Sequence, residues 1–596
     1  MCQMASRVSD TGEKRELGLS AIMALPALAT RFDPALRVRN LCQRIQKSSQ
    51  GFKLESLLDE MRISLRVHPS DESRIAESGP VVVVANQPHG VLDGALLLSL
   101  MTRVRPDVKI LSTFLFEDLP ELSRHFISLD PLETDRSIEW NRRALRAAIT
   151  WLENGGMLVV FPASPPLELM PFPRPIDAEW NDLAVRLMQR TGASALPVYF
   201  RGHGLAGLQW IGMIHPKLRP AFQLQQFLQQ EGKTIEVRVG SVIPRASLLA
   251  VEDREATEYL RWRTHLLARR GNHVDPWSVA LRSRLAAKLQ KAIAPPGNAA
   301  VLEKEIESLP AEACMVENGE FSVYRASGRE IPLLIKEIGR LRELTFREVG
   351  EGTGKGADLD RFDPYYWHLL LWNRRKRELV GAYRAGSTAE ILPAYGISGL
   401  YTSTLFRYDK RLFERLGPAL ELGRSFVRPE YQRQYAPLML LWKAIARLIA
   451  MRPEIAVLFG AVSISNDYSK ASHELIYRFF ETRVQQDALA GLVEPRTPFR
   501  VGLLQRWDCR AMCRVLHDLE ELSEPITDLE RDGKGLPILL RQYTKLGGRL
   551  LGFNLDRRFS SCLDGLILVD LRQTSPAVLE RYMGKEAATR FRDLHC

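Results

Sequence analysis

The stretch LRELTFREVGEGTGKGADLDRFDPYYWHLLL, Leu341 to Leu371, decides how the rest of the chain is read. Its opening has helical spacing, with Leu341, Leu344 and Phe346 towards a core while Arg342 and Arg347 project towards a pocket or solvent. Glycines at 350, 352, 354 and 356 then mark a mobile segment. Next comes an acidic cluster (Asp358, Asp360, Asp363), ahead of the strand-like aromatic run Tyr365-Tyr366-Trp367-His368. An amphipathic helix leading into a mobile acidic loop beside a sheet suits closure over a small cationic substrate. Arg342, Arg347, Asp358, Asp360 and Asp363 are therefore candidate substrate-binding residues. A core helix and a solvated acidic turn have the same composition, so both readings stand on this stretch alone.

The blocks C-terminal to it separate the two. Glu378 to Arg384 (ELVGAYR) predicts a strand, as do Leu420 to Val427 (LELGRSFV) and Val457 to Ile464 (VLFGAVSI), with a helix over Leu440 to Met451. Helix, loop, strands, then strand–helix–strand is the order of the GNAT acyl-transfer fold. The blocks LRELTFREVGEGTGK, DLDRFDPYYWHL, ELGRSFVRPEYQ and LFGAVSISNDYS closely resemble the hemolysin-like N-acyltransferases of ornithine-lipid synthesis, over Phe321 to Phe480. Gly535 to Leu555 and Leu563 to Leu571 resemble the sheet extension that ends the same branch. Arg541, Asn554 and Asp564 lie there, as candidates for the acceptor pocket or for structural roles. The resemblance implies a GNAT-like mixed sheet over residues 321–596.

Amine acylation by a thioester needs alignment, removal of a proton and stabilisation of an oxyanion. Glu421, on the strand that borders the donor in this fold, is the leading base or amine-orienting residue, and His368 is the second candidate; a salt bridge or a core histidine is the structural alternative for each. Arg424 is placed to pair with a substrate carboxylate or with Asp360. Ordinary GNAT enzymes cradle coenzyme A pyrophosphate in a glycine-rich turn. Here the corresponding Arg428-to-Pro437 segment, RPEYQRQYAP, has no glycine. A basic turn suits a donor with one phosphate, so Arg428, Gln432 and Arg433 are candidate donor-binding residues. The resemblance implies an acyl carrier protein thioester as donor, acyl-CoA being the other thioester, and no resident cofactor.

The earlier half opens on PVVVVANQPHGVLDGALLLSL, Pro80 to Leu100: a buried strand, a polar turn and an apolar helix. Strand ends that feed helix N-termini are where open α/β sheets place ligands. This stretch resembles the first motif of the glycerolphosphate and lysophospholipid acyltransferases, in which a His acts as base and an Asp a few residues later orients it. Gln87 stands where the hemolysin-like branch has that His, and a glutamine amide takes no proton at neutral pH. Either His89, oriented by Asp93, is an alternative base, or the domain keeps the fold without the chemistry. In LVVFPASPPLE, Leu158 to Glu168, Ser164 and Pro165 replace the Gly–Glu pair of a later family motif. Arg201 and His203 come just after a predicted strand end and suit a phosphate or carboxylate, or form an ordinary basic loop. The resemblance runs from Ile63 to Pro244.

At 596 residues, with 45% hydrophobic and 26% charged residues, the chain suits two globular α/β domains. We divide it into an N-terminal helical or interfacial segment (1–60), an acyltransferase-like domain (61–290), a linker (291–320) broken by Ala294-Pro-Pro-Gly-Asn298, and the GNAT-like domain. The net charge of +11 favours anionic partners: a phospholipid surface or an acidic carrier protein. No basic run interleaved with aromatics marks a nucleic-acid binder. Arg261, Arg263, Arg269, Arg270, Arg282 and Arg284 read as a basic face for anionic lipid, or as an ordinary solvated face. Seven scattered cysteines indicate a reducing cytosol, and Cys509 and Cys513 lack the second pair a zinc site needs. Leu17 to Thr30 reads as a core or interfacial helix, and the absence of a long apolar run makes membrane contact peripheral. The expectation is an acyltransferase of lipid biosynthesis that N-acylates an ornithine-type amino acid from acyl carrier protein and esterifies the lyso-lipid in its first half. The alternatives are a chain active only in its second half, or a membrane-surface binding protein without catalysis.

Overall fold

The computed structural model describes residues 54–113, 124–129, 135–162, 179–202, 228–271, 290–484, 487–501, 510–557, 559 and 562–595. Leu17 to Thr30, Ser164, Pro165, His203, Arg282, Arg284 and Cys509 lie outside them.

The chain forms two compact units. The first holds strands β1 (Ser64–Val67), β2 (Val81–Ala85), β3 (Val108–Thr113), β4 (Phe126–Leu129), β5 (Met157–Val160), β6 (Ser194–Phe200) and β7 (Thr234–Val239) in one sheet, ordered β1-β7-β6-β2-β5-β3-β4. Neighbours are parallel except β6 and β7. A strand covered on both faces needs apolar side chains at every position, and the four valines of β2 supply them; all of β2 is buried at the middle of the sheet. Helix α1 (Val91–Met101) comes directly after the turn and packs Leu92, Leu96 and Met101 into the same core.

The first unit is not contiguous. It comprises the chain up to Arg270 together with Arg510–His517 and Thr527–Gly533. The returning Asp528 is fully buried and accepts from Arg263 Nη2 at 2.8 Å, Arg74 Nη1 at 3.0 Å, and Ser241 N and Oγ at 2.8 Å each. Arg270, 2.6 Å from Asp71, also donates to the Asp528 carbonyl. Arg263, on helix α2 (Asp253–Leu266), and Arg270 are thus interior ion-pair partners, which corrects their reading as an exposed basic face.

The second unit is built on an eight-stranded sheet. Helix α3 (Ala299–Glu307), capped by Asn298, precedes β8 (Cys314–Asn318) and β9 (Phe321–Ser327), so part of the expected linker is ordered structure. Then come α4 (Leu334–Glu348), β10 (Trp367–Asn373), β11 (Glu378–Ser387), β13 (Ala419–Val427), α5 (Tyr435–Met451), β14 (Val457–Ile464), β16 (Arg549–Asp556) and β17 (Cys562–Asp570). β12 (Phe406–Tyr408) and β15 (Val493–Pro495) form a separate two-stranded ribbon. The main sheet has the order β16-β17-β14-β13-β11-β10-β9-β8, antiparallel throughout except for the central β13–β14 pair. Its core on one face joins Ile331, Leu334, Ile338 and Leu341 to Leu370, Trp372 and Phe426.

Candidate active site

The one parallel pair of the sheet is also where it opens. β13 and β14 pair only at Ala419–Val457, Leu420–Leu458 and Glu421–Phe459, then diverge. At the point of divergence a Cβ on residue 460 would lie 2.0 Å from the Leu422 carbonyl oxygen, so only glycine fits there. Against β11 the register of β13 slips, Arg384 facing Gly423 while Ala382 faces Phe426. Arg424, inside that bulge, has φ +51°. A non-glycine residue in the left-handed region costs about 1–2 kcal/mol, and such strain concentrates where a side chain must be aimed at a ligand.

Around this opening the predicted residues separate into supports and surface. Glu421 is 2% exposed. Its carboxylate accepts from Thr402 N at 2.7 Å, Thr402 Oγ1 at 2.5 Å, Tyr401 N at 3.0 Å and the Tyr366 hydroxyl. Four donors occupy both oxygens, which is the setting of an anchor for the Tyr401–Thr402 turn. His368 is wholly buried, with Nε2 2.9 Å from the Asp363 carbonyl oxygen. Burial, reinforced by the Arg342 charge, lowers its pKa to about 3, so the ring is neutral.

The acidic cluster is matched by arginines. Asp363 accepts from Arg342 Nη2 at 2.8 Å and Arg384 Nη1 at 3.0 Å; Asp360 accepts from Arg384 Nη1 at 2.7 Å. Despite burial, which favours the neutral acid, these two guanidiniums hold Asp363 well below the usual carboxylate range. Asp358 lies 3.2 Å from Arg424 Nε, and Asp360 lies 3.9 Å from Arg424 Nη2. These acids and Arg342 form an internal network, not the expected recognition site for a cationic substrate. The glycine segment is likewise fastened. Buried Glu343 accepts from Thr353 N at 3.0 Å, Thr353 Oγ1 at 2.6 Å, Gly354 N at 2.8 Å and Arg347 Nε at 2.7 Å. Gly354 and Gly356 accept in turn from the backbone of Lys291 and Ala294. Arg347 is thus committed to the loop, and the expectation of a mobile lid does not hold.

Arg424 is different in kind. Its Nη1 donates to the Tyr401 hydroxyl at 3.0 Å, and its guanidinium centre lies 4.2 Å from the Phe559 ring centroid and 4.6 Å from that of Tyr401. Two carboxyl groups that sequence reasoning did not assign to catalysis share its electrostatic field. Glu351 is raised to about 7 by burial, with the charges of Asp564 and Asp467 adding to it and Arg424 opposing. Asp564, on β17 and 3% exposed, is also raised to about 7, by burial and the nearby Asp556, against the Ser463 hydroxyl (2.7 Å) and Arg424. Acids that titrate near neutrality beside an opened strand pair are suited to moving protons. Of the other candidates on these strands, buried Asn554 accepts from Thr497 N at 2.7 Å, a structural role, and Arg541 is partly exposed on its helix.

The predicted donor turn leads into α5. Arg428 is held by Glu378 and Glu430, Gln432 donates to the Val427 carbonyl, and Arg433 is exposed. The N-cap residue Gln434 makes no side-chain capping bond, so the first-turn amides of α5 have no such partner.

In the first unit, Gln87 donates from its side chain to the Gly90 carbonyl and holds the turn. Gly90 (φ +68°) then reverses the chain so that His89 Nδ1 reaches Asp93 Oδ1 at 2.8 Å, while Asp93 Oδ2 accepts from the His89 backbone amide at 2.7 Å. Burial raises the Asp93 pKa, against its bonds from His89. A Cβ on Gly202 would lie 2.6 Å from His89 Nε2, and the preceding Arg201, bound to Glu236 at 3.0 Å, is half exposed. The structure therefore brings His89, Asp93 and Arg201 into one neighbourhood.

Residues 341–443 match the family model described as the Acetyltransferase (GNAT) domain. The second unit carries a GNAT domain, and the chain is an acyltransferase. It is 29% identical over 271 residues to a glycine N(alpha)-acyltransferase of Bacteroides thetaiotaomicron, a match covering 43% of this chain and 79% of that protein. It is 29% identical over 263 residues to an L-ornithine N(alpha)-acyltransferase of Rhodobacter capsulatus (42% of this chain, 90% of that one) and 25% identical over 281 residues to that of Brucella abortus (45% and 88%). Among solved structures, the 1-acyl-sn-glycerophosphate (LPA) acyltransferase PlsC of Thermotoga maritima aligns at 16% identity and a TM-score of 0.22, over 35% of this chain and 72% of that one.

Proposed function

We propose that the second unit transfers a fatty acyl group from a thioester, carried by acyl carrier protein, to the α-amine of an amino acid. The observation that carries this reading is the opened β13–β14 pair, with strained Arg424 and near-neutral carboxyls at one side of it. A thioester lying between the diverging strands presents its carbonyl to the same place from which Arg424 meets an amino-acid carboxylate. The exposed Arg433 and the uncapped start of α5 suit a single phosphate on the donor arm. Glycine and ornithine N-acyltransferases are both similar to this chain, and both acceptors share the α-amine and carboxylate that this arrangement would hold.

For the first unit, the paired His89 and Asp93 favour a second acyl transfer, to the hydroxyl of the lyso-lipid. With Asp93 holding Nδ1, His89 Nε2 is the atom that would take the hydroxyl proton, and Arg201 would meet the acceptor's carboxylate. Such a protein would work from the cytoplasmic face of an anionic membrane, in keeping with its +11 charge; no helix among the described residues is long and apolar enough to cross a bilayer. The test is incubation of the full chain with 3-hydroxyacyl carrier protein, or the matching acyl-CoA, and ornithine or glycine. N-acyl amino acid is expected, with a diacylated product that disappears in His89→Ala. Absence of any N-acyl product with every donor–acceptor pair sinks the first reading; a diacylated product indifferent to His89→Ala sinks the second.

A further inference from the structure

We propose that Glu351 is the base of the amine acylation, with Asp564 its positioning residue. This rests on the N-acyl transfer put forward above. The two groups expected to act on the amine are spent elsewhere: Glu421 by four hydrogen-bond donors, and His368 by burial against the Asp363 carbonyl. Glu351 is placed otherwise. Its loop is fixed from three directions. Glu351 N donates to the Phe346 carbonyl at 2.7 Å, the Ser465 hydroxyl just beyond β14 donates to the Val349 carbonyl at 2.7 Å, and Glu343 clamps Thr353 and Gly354 on the far side. The backbone is therefore held at the end of the opened strand, yet among the described residues no hydrogen bond reaches the Glu351 carboxylate. A partly buried carboxylate on a rigid loop, with its oxygens uncommitted, has the properties of a group kept for a visitor.

The charged groups that act on it come from three parts of the sheet: Arg424 from β13, Asp564 from β17 and Asp467 from the turn after β14. Asp564 in turn faces Asp556 on β16, Ser463 on β14 and its own neighbour Cys562. Burial first, and then the two acids, oppose ionisation of Glu351 while Arg424 favours it, the balance that brings a carboxyl into the range of an α-amine. In the step itself the amine lone pair attacks the thioester carbonyl carbon, forming the C–N bond and leaving the former carbonyl oxygen negative. Glu351 takes the extra proton from the attacking nitrogen. The oxyanion then reforms the carbonyl, the C–S bond breaks, and the departing thiolate takes a proton from water, as Glu351 later returns its own.

The test compares kcat/KM against pH for wild type, Glu351→Gln, Glu351→Asp and Asp564→Asn, with folding followed by circular dichroism. Glu351→Gln is expected to lose about 10²–10⁴-fold with an unchanged spectrum, and Glu351→Asp to recover part of that loss. Removing the like charge at Asp564 lets Glu351 lose its proton more readily, so the acidic limb of the profile should move to lower pH by about half a unit or more. Glu351→Gln within threefold of an active wild type, or an acidic limb unmoved in Asp564→Asn, overturns the assignment. A wild type that acylates no amine removes the earlier reading and this one together.

Discussion

Glu421 is the residue whose environment most changes its expected role. Its carboxylate holds the Tyr401–Thr402 turn, and Tyr401 is the ring that Arg424 lies over and bonds. Deleting it would leave the Thr402 amide and hydroxyl without their acceptor in a water-poor interior, and would take one acceptor each from the Tyr401 amide and the Tyr366 hydroxyl. Glu421→Ala should therefore destabilise the second unit by on the order of 2–4 kcal/mol, with Glu421→Gln milder because one oxygen still accepts. Urea unfolding alongside turnover measures this; full stability with abolished turnover would return Glu421 to the chemistry. At this scale the sequence is legible in residue type but not in partnership. The acids and arginines of 342–363 are visible as charges, yet which ones cancel depends on Arg384 and Arg424, strands away. Glu351, set among glycines, has the look of loop. Only folding brings it within the field of Asp564, on the last strand in chain order.

Among elements, the decisive feature is a pair of strands that begin together and part after three residues each. VLFGAVSI shows its strand plainly because apolar residues fill buried positions on both faces, and LELGRSFV does so by the alternation of Leu420, Leu422 and Phe426. The divergence has no such signature, since a bulge and a separation leave hydrophobic patterning intact. Gly460 is the one local trace of it. Gly460→Ala would push a methyl group into the Leu422 carbonyl, where the nearer strand is already constrained by β11. A loss of about 2 kcal/mol or more is expected, with KM for the acyl thioester rising more than kcat falls. Thermal unfolding and steady-state kinetics together check it, and unchanged KM would mean that the donor does not lie between these strands. The neighbouring glycine loop misleads for a related reason: its order comes from Glu343 on the preceding helix, whose contacts lie about ten residues ahead in the chain.

Across the whole molecule a single cut near residue 290 does not divide the chain, because the first unit takes back Arg510–His517 and Thr527–Gly533. Nothing in a linear composition marks such short returning segments. Their weight is chemical, because buried Asp528 neutralises the fully buried Arg263 and the partly buried Arg74. Asp528→Asn should cost about 3–5 kcal/mol, and a chain ended at residue 290 should unfold or aggregate where the full chain does not; size-exclusion profiles and melting curves decide this, and a monomeric, cooperatively melting fragment would count against it. The same connectivity bears on biosynthesis. With translation at ~5–20 residues per second, Asp528 leaves the ribosome roughly ten seconds to a minute after Arg270. For that interval Arg263 in the nascent first half lacks the carboxylate that neutralises it, so the first unit is completed only late in synthesis, when most of the second has already been made.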